Sequence, residues 1–178
     1  MDEIADIDRD IMITVEELIT LFSLTPHPEG GYYRETYRSV ETIPDNVLPN
    51  RYKGDRTYGT AIYYLLTPDT FSALHRLKTD EVYHFYLGDP VEMLQLLPGG
   101  SGRVVKLGNE IKTGMHLQVA MSRGMWQGSR LIRGGEYALL GATVAPGFEF
   151  ADLEIGQREE LLQFYPQFQD LIVALTRD

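Results

Sequence analysis

The chain has 178 residues and a formal net charge of −10, enough length to bury a core and a sign that repels phosphate backbones, so nucleic acid is excluded as a partner. It contains no cysteine, which removes disulfides, thiolate metal sites and cysteine nucleophiles from consideration. The opening MDEIADIDRD is acidic where a secretory leader is basic and then apolar, and no apolar run reaches the ~18 residues of a spanning helix. The expectation is one cytoplasmic domain over 1–178 with no membrane partner.

In chain order, TVEELITLF opens with a capping-box pattern, Thr14 followed by Glu17, and predicts a short helix that closes an N-terminal helical segment over 1–23. Pro26, Pro28, Gly30 and Gly31 force a turn, after which YYRETYRS alternates as a strand. A polar connection, VETIPDNVLPNRYKGD, is long enough to read as a binding loop, a lid or a mobile insertion. From TAIYYLL to EYALLGATVA the chain becomes a series of short strand-like segments separated by TPDT, GDP and PGGSG. That texture predicts an antiparallel sandwich or barrel over 24–155. REELLQFYP and FQDLIVALTR return to helical spacing over 156–178, interrupted at Pro166.

The chemistry concentrates in HRLKTDEVYHFYLGDP, residues 75–90. His75 and Glu81 can share a proton near neutral pH, because imidazole titrates there and burial moves a carboxyl towards it. His84 lies an odd number of residues beyond Glu81. On a regular strand it therefore faces the other way, unless a bulge intervenes. Trp126 and Gln127 in SRGMWQG, Tyr33 and Tyr83, and Arg34 in GGYYRETYRS are candidate ligand contacts. An indole or phenol offers a flat wall, and guanidinium matches carboxylate or phosphate. Core packing and a surface ion pair are the competing roles for these residues. PGGSG sits in a hairpin with no helix N-terminus behind it, and carries no phosphate site.

Two motifs connect these residues to a family. His75, Glu81 and Gly88 keep the spacing of the first cupin motif, with Leu77 where its second histidine stands; Gln127 occupies the histidine position of the second motif. LTPHPEGGYYRETYRS, TAIYYLL, HRLKTDEVYHFYLGDP and ATVAPGFEFADLE occur in the order found in a cupin subfamily of unassigned activity, which this chain resembles from Leu24 to Glu154. The resemblance implies a mainly β fold: a double-stranded antiparallel β-helix (the cupin jelly-roll barrel) with a short N-terminal helix and C-terminal helices. It implies a homodimer and a pocket at the barrel mouth with His75 and Glu81 as catalytic pair. Arg34, Tyr33, Tyr83, Trp126, Gln127 and His84 are the ligand-binding candidates. The function expected is small-molecule binding with metal-independent isomerisation or epimerisation of a carbohydrate-like or anionic metabolite. A non-catalytic binding or storage protein, and a metal-dependent enzyme with a degenerate ligand set, are the alternatives. No cofactor is assigned and no metal is expected; if a divalent ion binds, His75, Glu81 and Gln127 are its ligands.

Overall fold

The computed structural model describes residues 13–177. The acidic opening decapeptide and the first part of the predicted 1–23 helical segment lie outside the described residues. Helix α1, Val15–Phe22, starts as its sequence requires: the Thr14 hydroxyl accepts the Glu17 N–H at 3.2 Å, and the Glu17 carboxylate accepts the Thr14 N–H at 2.8 Å. The C-terminal helices α2, Arg158–Phe164, and α3, Gln169–Ala174, flank a single turn at Pro166–Phe168.

Between them lie thirteen strands. A six-stranded sheet runs, from edge to edge, β1 (Thr25–Pro26), β2 (Tyr32–Arg38), β5 (Thr60–Leu66), β12 (Ala138–Val144), β7 (Glu81–Gly88) and β10 (Gln118–Met121). A five-stranded sheet runs β13 (Leu153–Ile155), β6 (Phe71–Leu77), β11 (Trp126–Leu131), β8 (Val91–Leu96) and β9 (Gly102–Leu107). The remaining pair, β3 (Thr42–Ile43) and β4 (Arg56–Thr57), forms a small ribbon. Every pairing between these strands is antiparallel, and an isolated bridge from Leu107 to His116 is parallel.

The closed β-barrel that the cupin resemblance implies does not form among the described residues. Both sheets are open, with β1 and β10 at the edges of one and β13 and β9 at the edges of the other. The chain passes between them at tight turns such as Thr67–Thr70, closed by the Thr70 N–H to the Thr67 carbonyl, and not by a ladder shared between sheets. Strand number and alternation are written in the apolar pattern. Closure depends on which edges exchange backbone hydrogen bonds, and that pattern is silent about edges.

The two sheets face each other across a core that draws Tyr64, Phe85 and Leu140 from the larger sheet and Met93, Leu107 and Leu131 from the smaller. The outer face of the five-stranded sheet is covered by the C-terminal helices, with Leu74, Leu94 and Leu96 against Leu161, Ile172 and Leu175. α1 covers part of the other outer face through Leu18, Leu65 and Leu139.

The long polar connection is a tethered segment. The Tyr52 phenol and Thr79 hydroxyl share a hydrogen bond at 2.6 Å, Arg51 donates to the Lys78 carbonyl at 2.9 Å, and buried Arg56 pairs with buried Asp152 at 2.7 and 2.8 Å. Among the described residues no helix is long and apolar enough to cross a membrane.

Candidate functional site

A cavity of about 250 Å³ opens between the sheets, at the small end of ligand pockets generally. His75 from β6 and Glu81 from β7 line its interior, both buried, with Glu29 beside them. Tyr33, Phe148 and Phe150 form aromatic walls, and His27 lies edge-on to Tyr33 at 4.5 Å. Glu35, Arg38 and Glu149 stand at the mouth, where Arg38 is shared between the two carboxylates at 2.9 Å each.

A bulge explains how β6 delivers its polar groups. Gln127 on β11 opposes His75 and Ser129 opposes Ser72, so three residues of β6 run against two of β11. The extra residue lets Ser72 and His75, at an odd offset, both turn inward. Gly128 supplies the room: a Cβ there would lie 3.0 Å from the Leu74 side chain. On β7 the register shift falls at Tyr86, beyond His84, so Glu81, Tyr83 and Phe85 stay on the buried face and His84 on the other.

Glu29 arrives by a different route. In HPEGG, Gly30 and Gly31 have φ of 118° and 67°, a region that favours glycine, and a Cβ on Gly30 would collide with the Phe71 carbonyl. The resulting turn is closed by the Gly30 N–H to His27 carbonyl bond at 2.9 Å. The Glu29 carbonyl accepts the Ala73 N–H at 2.9 Å, locking the turn to the β6 bulge.

The polar groups form a chain across the cavity floor. His75 Nδ1 donates to the Ala73 carbonyl at 2.7 Å, which leaves Nε2 as the acceptor in the neutral ring. Nε2 lies 3.2 Å from Glu29 Oε2 and 3.3 Å from the Gln127 amide nitrogen. The same Gln127 nitrogen donates to Glu81 Oε2 at 2.5 Å. Ser72 donates to Glu29 Oε1 at 3.0 Å. The side-chain oxygen of Gln127 is buried without a partner among the described residues.

Burial dominates the electrostatics. It pushes Glu29 up to about 7, with the Ser72 hydrogen bond opposing, and Glu81 up to about 7, with His75 opposing. It lowers His75 from its ordinary value against the pull of Glu81, and with His75 nearby it brings His27 down to about 4. Near neutrality the floor therefore holds neutral imidazoles beside two carboxyls that burial keeps protonated well above the ordinary carboxylate range.

Of the sequence candidates, His75, Glu81 and Tyr33 line the cavity, and Gln127 bridges the first two from behind. Tyr83 sits next in the strand, buried in the core between the sheets. Trp126 packs among the C-terminal helices under the Arg76 guanidinium, 4.5 Å above its ring. Exposed Arg34 donates to the Phe22 carbonyl at 3.1 Å at the end of α1. His84 binds Thr143 at 3.0 Å and Gln118 at 3.1 Å on the outer face. Arg34, Trp126 and His84 are thus absent from the cavity lining. Glu29 and His27 were not singled out from the sequence; the legible signal was a glutamate beside a Gly-Gly turn directly before an aromatic strand.

Of the positions at which a complete cupin motif would hold a metal, this cavity keeps His75 and Glu81. Leu77 contributes hydrocarbon to the lining, and Gln127 places N–H donors, not a lone pair, between His75 and Glu81. Among the described residues no group of three or more His, Cys, Asp or Glu is arranged to hold one.

Comparison with known proteins agrees with this architecture. A yeast protein from Saccharomyces cerevisiae, Uncharacterized protein YML079W, is 30% identical over 78% of this chain and 73% of its own length. The solved structure of a hypothetical protein from Leishmania major superposes with a TM-score of 0.83 at 31% identity, covering 93% of this chain and 100% of the other. Protein SO0799 from Shewanella oneidensis does so with 0.82 at 32% identity, covering 93% and 99%. The family model described as Cupin superfamily (DUF985) matches residues 16–156, and with the sandwich and the His75–Glu81 spacing this places the chain in that cupin family.

Proposed function

We propose that this cupin binds an uncharged, carbohydrate-like small molecule and isomerises or epimerises it by proton transfer without a metal. The observation that carries the reading is the Glu29–His75 pair at 3.2 Å, joined through Gln127 to Glu81 inside a cavity of about 250 Å³. Aldose–ketose isomerisation and epimerisation both remove a proton from carbon beside a carbonyl and return one, to a neighbouring atom or to the opposite face. Two carboxyls with values about 7 are suited to that exchange, because acid and base forms coexist at working pH. The Glu29–His75 pair takes the proton; Glu81, held by Gln127, is the second proton carrier.

Charge and shape favour the neutral ligand over an anionic one. The cavity presents carboxyls on its floor, and its mouth cation, Arg38, is already shared by Glu35 and Glu149. Tyr33, Phe148 and Phe150 provide flat apolar faces on which the C–H side of a sugar ring can lie.

The test is a thermal-shift screen of neutral sugars, sugar acids, keto acids and sugar nucleotides. Any hit is then incubated in D₂O and inspected by NMR for deuterium at carbon. Exchange lost in His75→Ala and reduced in Glu81→Gln supports the reading. A tight ligand that remains chemically unchanged assigns the chain to non-catalytic binding. Near-stoichiometric metal in tag-free protein overturns the metal-independent part.

The assembly we propose is a two-fold homodimer. It is supported by the short β1, which pairs only with Tyr32 and Tyr33 and leaves Arg34–Arg38 of β2 without a strand on that side among the described residues, beside exposed Tyr37.

A further inference from the structure

On the other side of Leu77 from the cavity is a second concavity, a groove of about 400 Å³. It is lined by Arg51, Arg76, Lys78 and Arg123 against two carboxylates, Asp152 and Glu154. Four cations converging on one groove are notable in a chain of net charge −10.

Their partners decide which of them can serve a ligand. Arg76 is consumed by Glu154, in a two-pronged pair at 2.7 and 2.8 Å, and is fixed over Trp126. Asp152 already receives both prongs of buried Arg56, so it only partly neutralises Lys78, whose ammonium lies 3.6 Å away. Lys78 is further held by the Ala151 carbonyl at 3.2 Å. Arg51 is aimed by its Nε donating to the Lys78 carbonyl at 2.9 Å, by its Nη2 donating to the Tyr52 hydroxyl at 3.4 Å and by stacking on Tyr52, with its guanidinium 4.7 Å from the ring centre. Arg123 has its backbone N–H held by Asp80 at 2.7 Å, and its guanidinium has no partner among the described residues.

We propose that this groove is an anion site for a phosphate monoester, with Arg123 as the open fork, Arg51 offering the guanidinium N–H groups that Lys78 and Tyr52 leave free, and Lys78 as the fixed point charge between the elements that carry them. Guanidinium presents paired N–H donors that match phosphate oxygens, and an ammonium adds charge without demanding a geometry. The long polar connection thereby acquires a role. Its Tyr52–Thr79 and Arg56–Asp152 tethers hold Arg51 at the groove, so the cation is positioned before any ligand arrives. The site is separate from the cavity, and its assignment does not depend on what the cavity does.

The experiment is a ¹H–¹⁵N NMR titration of the full chain with inorganic phosphate, run beside sodium chloride at matched ionic strength. Saturable shifts centred on the Lys78, Arg123, Gly124 and Ala151 amides are expected with phosphate and not with chloride. Arg123→Ala should weaken phosphate roughly tenfold, the loss of about one charge-assisted hydrogen bond. Arg51→Ala should do the same, while Arg133→Ala, an exposed arginine outside the groove, should change nothing. Arg123 is exposed, so its variant tests the site even if the Arg51 variant folds poorly. Shifts that chloride reproduces, that do not saturate, or that survive Arg123→Ala unchanged would overturn the assignment.

Discussion

Glu29 Oε2 stands 3.2 Å from His75 Nε2, while the opposite nitrogen of that ring is committed to the Ala73 carbonyl at 2.7 Å. The histidine cannot turn away from the glutamate without giving up a buried hydrogen bond. Its consequence is a pH signature. Glu29 and Glu81 sit at about 7 in the folded chain, above the ordinary value of 4.5. A carboxyl raised by folding holds its proton in the native state between these two values, so the native state loses stability as pH rises through that window. His27 and His75 are lowered, and add stability as pH rises towards 6.5. The two trends oppose each other up to about 6.5, and above it only the carboxyl loss remains. Glu29→Gln should therefore flatten the fall in melting temperature that is left between pH 6.5 and about 7.5, gaining on the order of 1 kcal/mol on the parent across that interval. Thermal melts across that range check this; parallel curves for parent and variant refute it.

The Arg56–Asp152 pair joins the β3–β4 ribbon to the turn at Phe150–Asp152, and Asp152 lines the wall of the groove. Both side chains are nearly inaccessible, 2% and 3% exposed. Removing one partner leaves a buried charge alone, so Asp152→Ala should cost about 3–5 kcal/mol. Urea unfolding measures it. A loss below ~1 kcal/mol would mean that the pair is solvated in solution.

Gly30 tests the turn that brings Glu29 to the floor. Its φ of 118° and the Phe71 carbonyl leave no room for a side chain. Gly30→Ala should destabilise by more than about 2 kcal/mol and displace Glu29. Gly54→Ala is the control: its φ is also positive, at 92°, but nothing crowds its Cβ, so it pays only the backbone strain. Equal losses at the two positions would show that crowding against Phe71 contributes nothing.

The open edge of β2 predicts association. Size-exclusion chromatography with light scattering should give a dimer at micromolar concentration. Placing a proline at Thr36, within that edge, should shift it towards monomer. A monomeric parent chain discards the proposal.

Much of the architecture was readable in the chain itself. Thr14 and Glu17 announced the start of α1 because a capping box is local chemistry, satisfied within three residues. Alternation in EVYHF placed Glu81 and Tyr83 on one face and His84 on the other, because side chains on a strand have no alternative ahead of the register shift at Tyr86. The apolar alternation of the short segments, and Pro166 between the terminal helices, belong to the same class of signal. Tertiary structure decided what depends on partners distant in sequence. Whether two sheets close into a barrel is a matter of edge pairing, and these edges stay open. That Ser72 and His75 both face inward follows from a bulge against Gly128, and that Glu29 rather than Trp126 meets His75 follows from where the HPEGG turn docks on that bulge. Periodicity reports which face a residue takes within its own strand; which residue of another element shares that face is set by hydrogen bonds and packing between segments, and those exist only once the chain has folded.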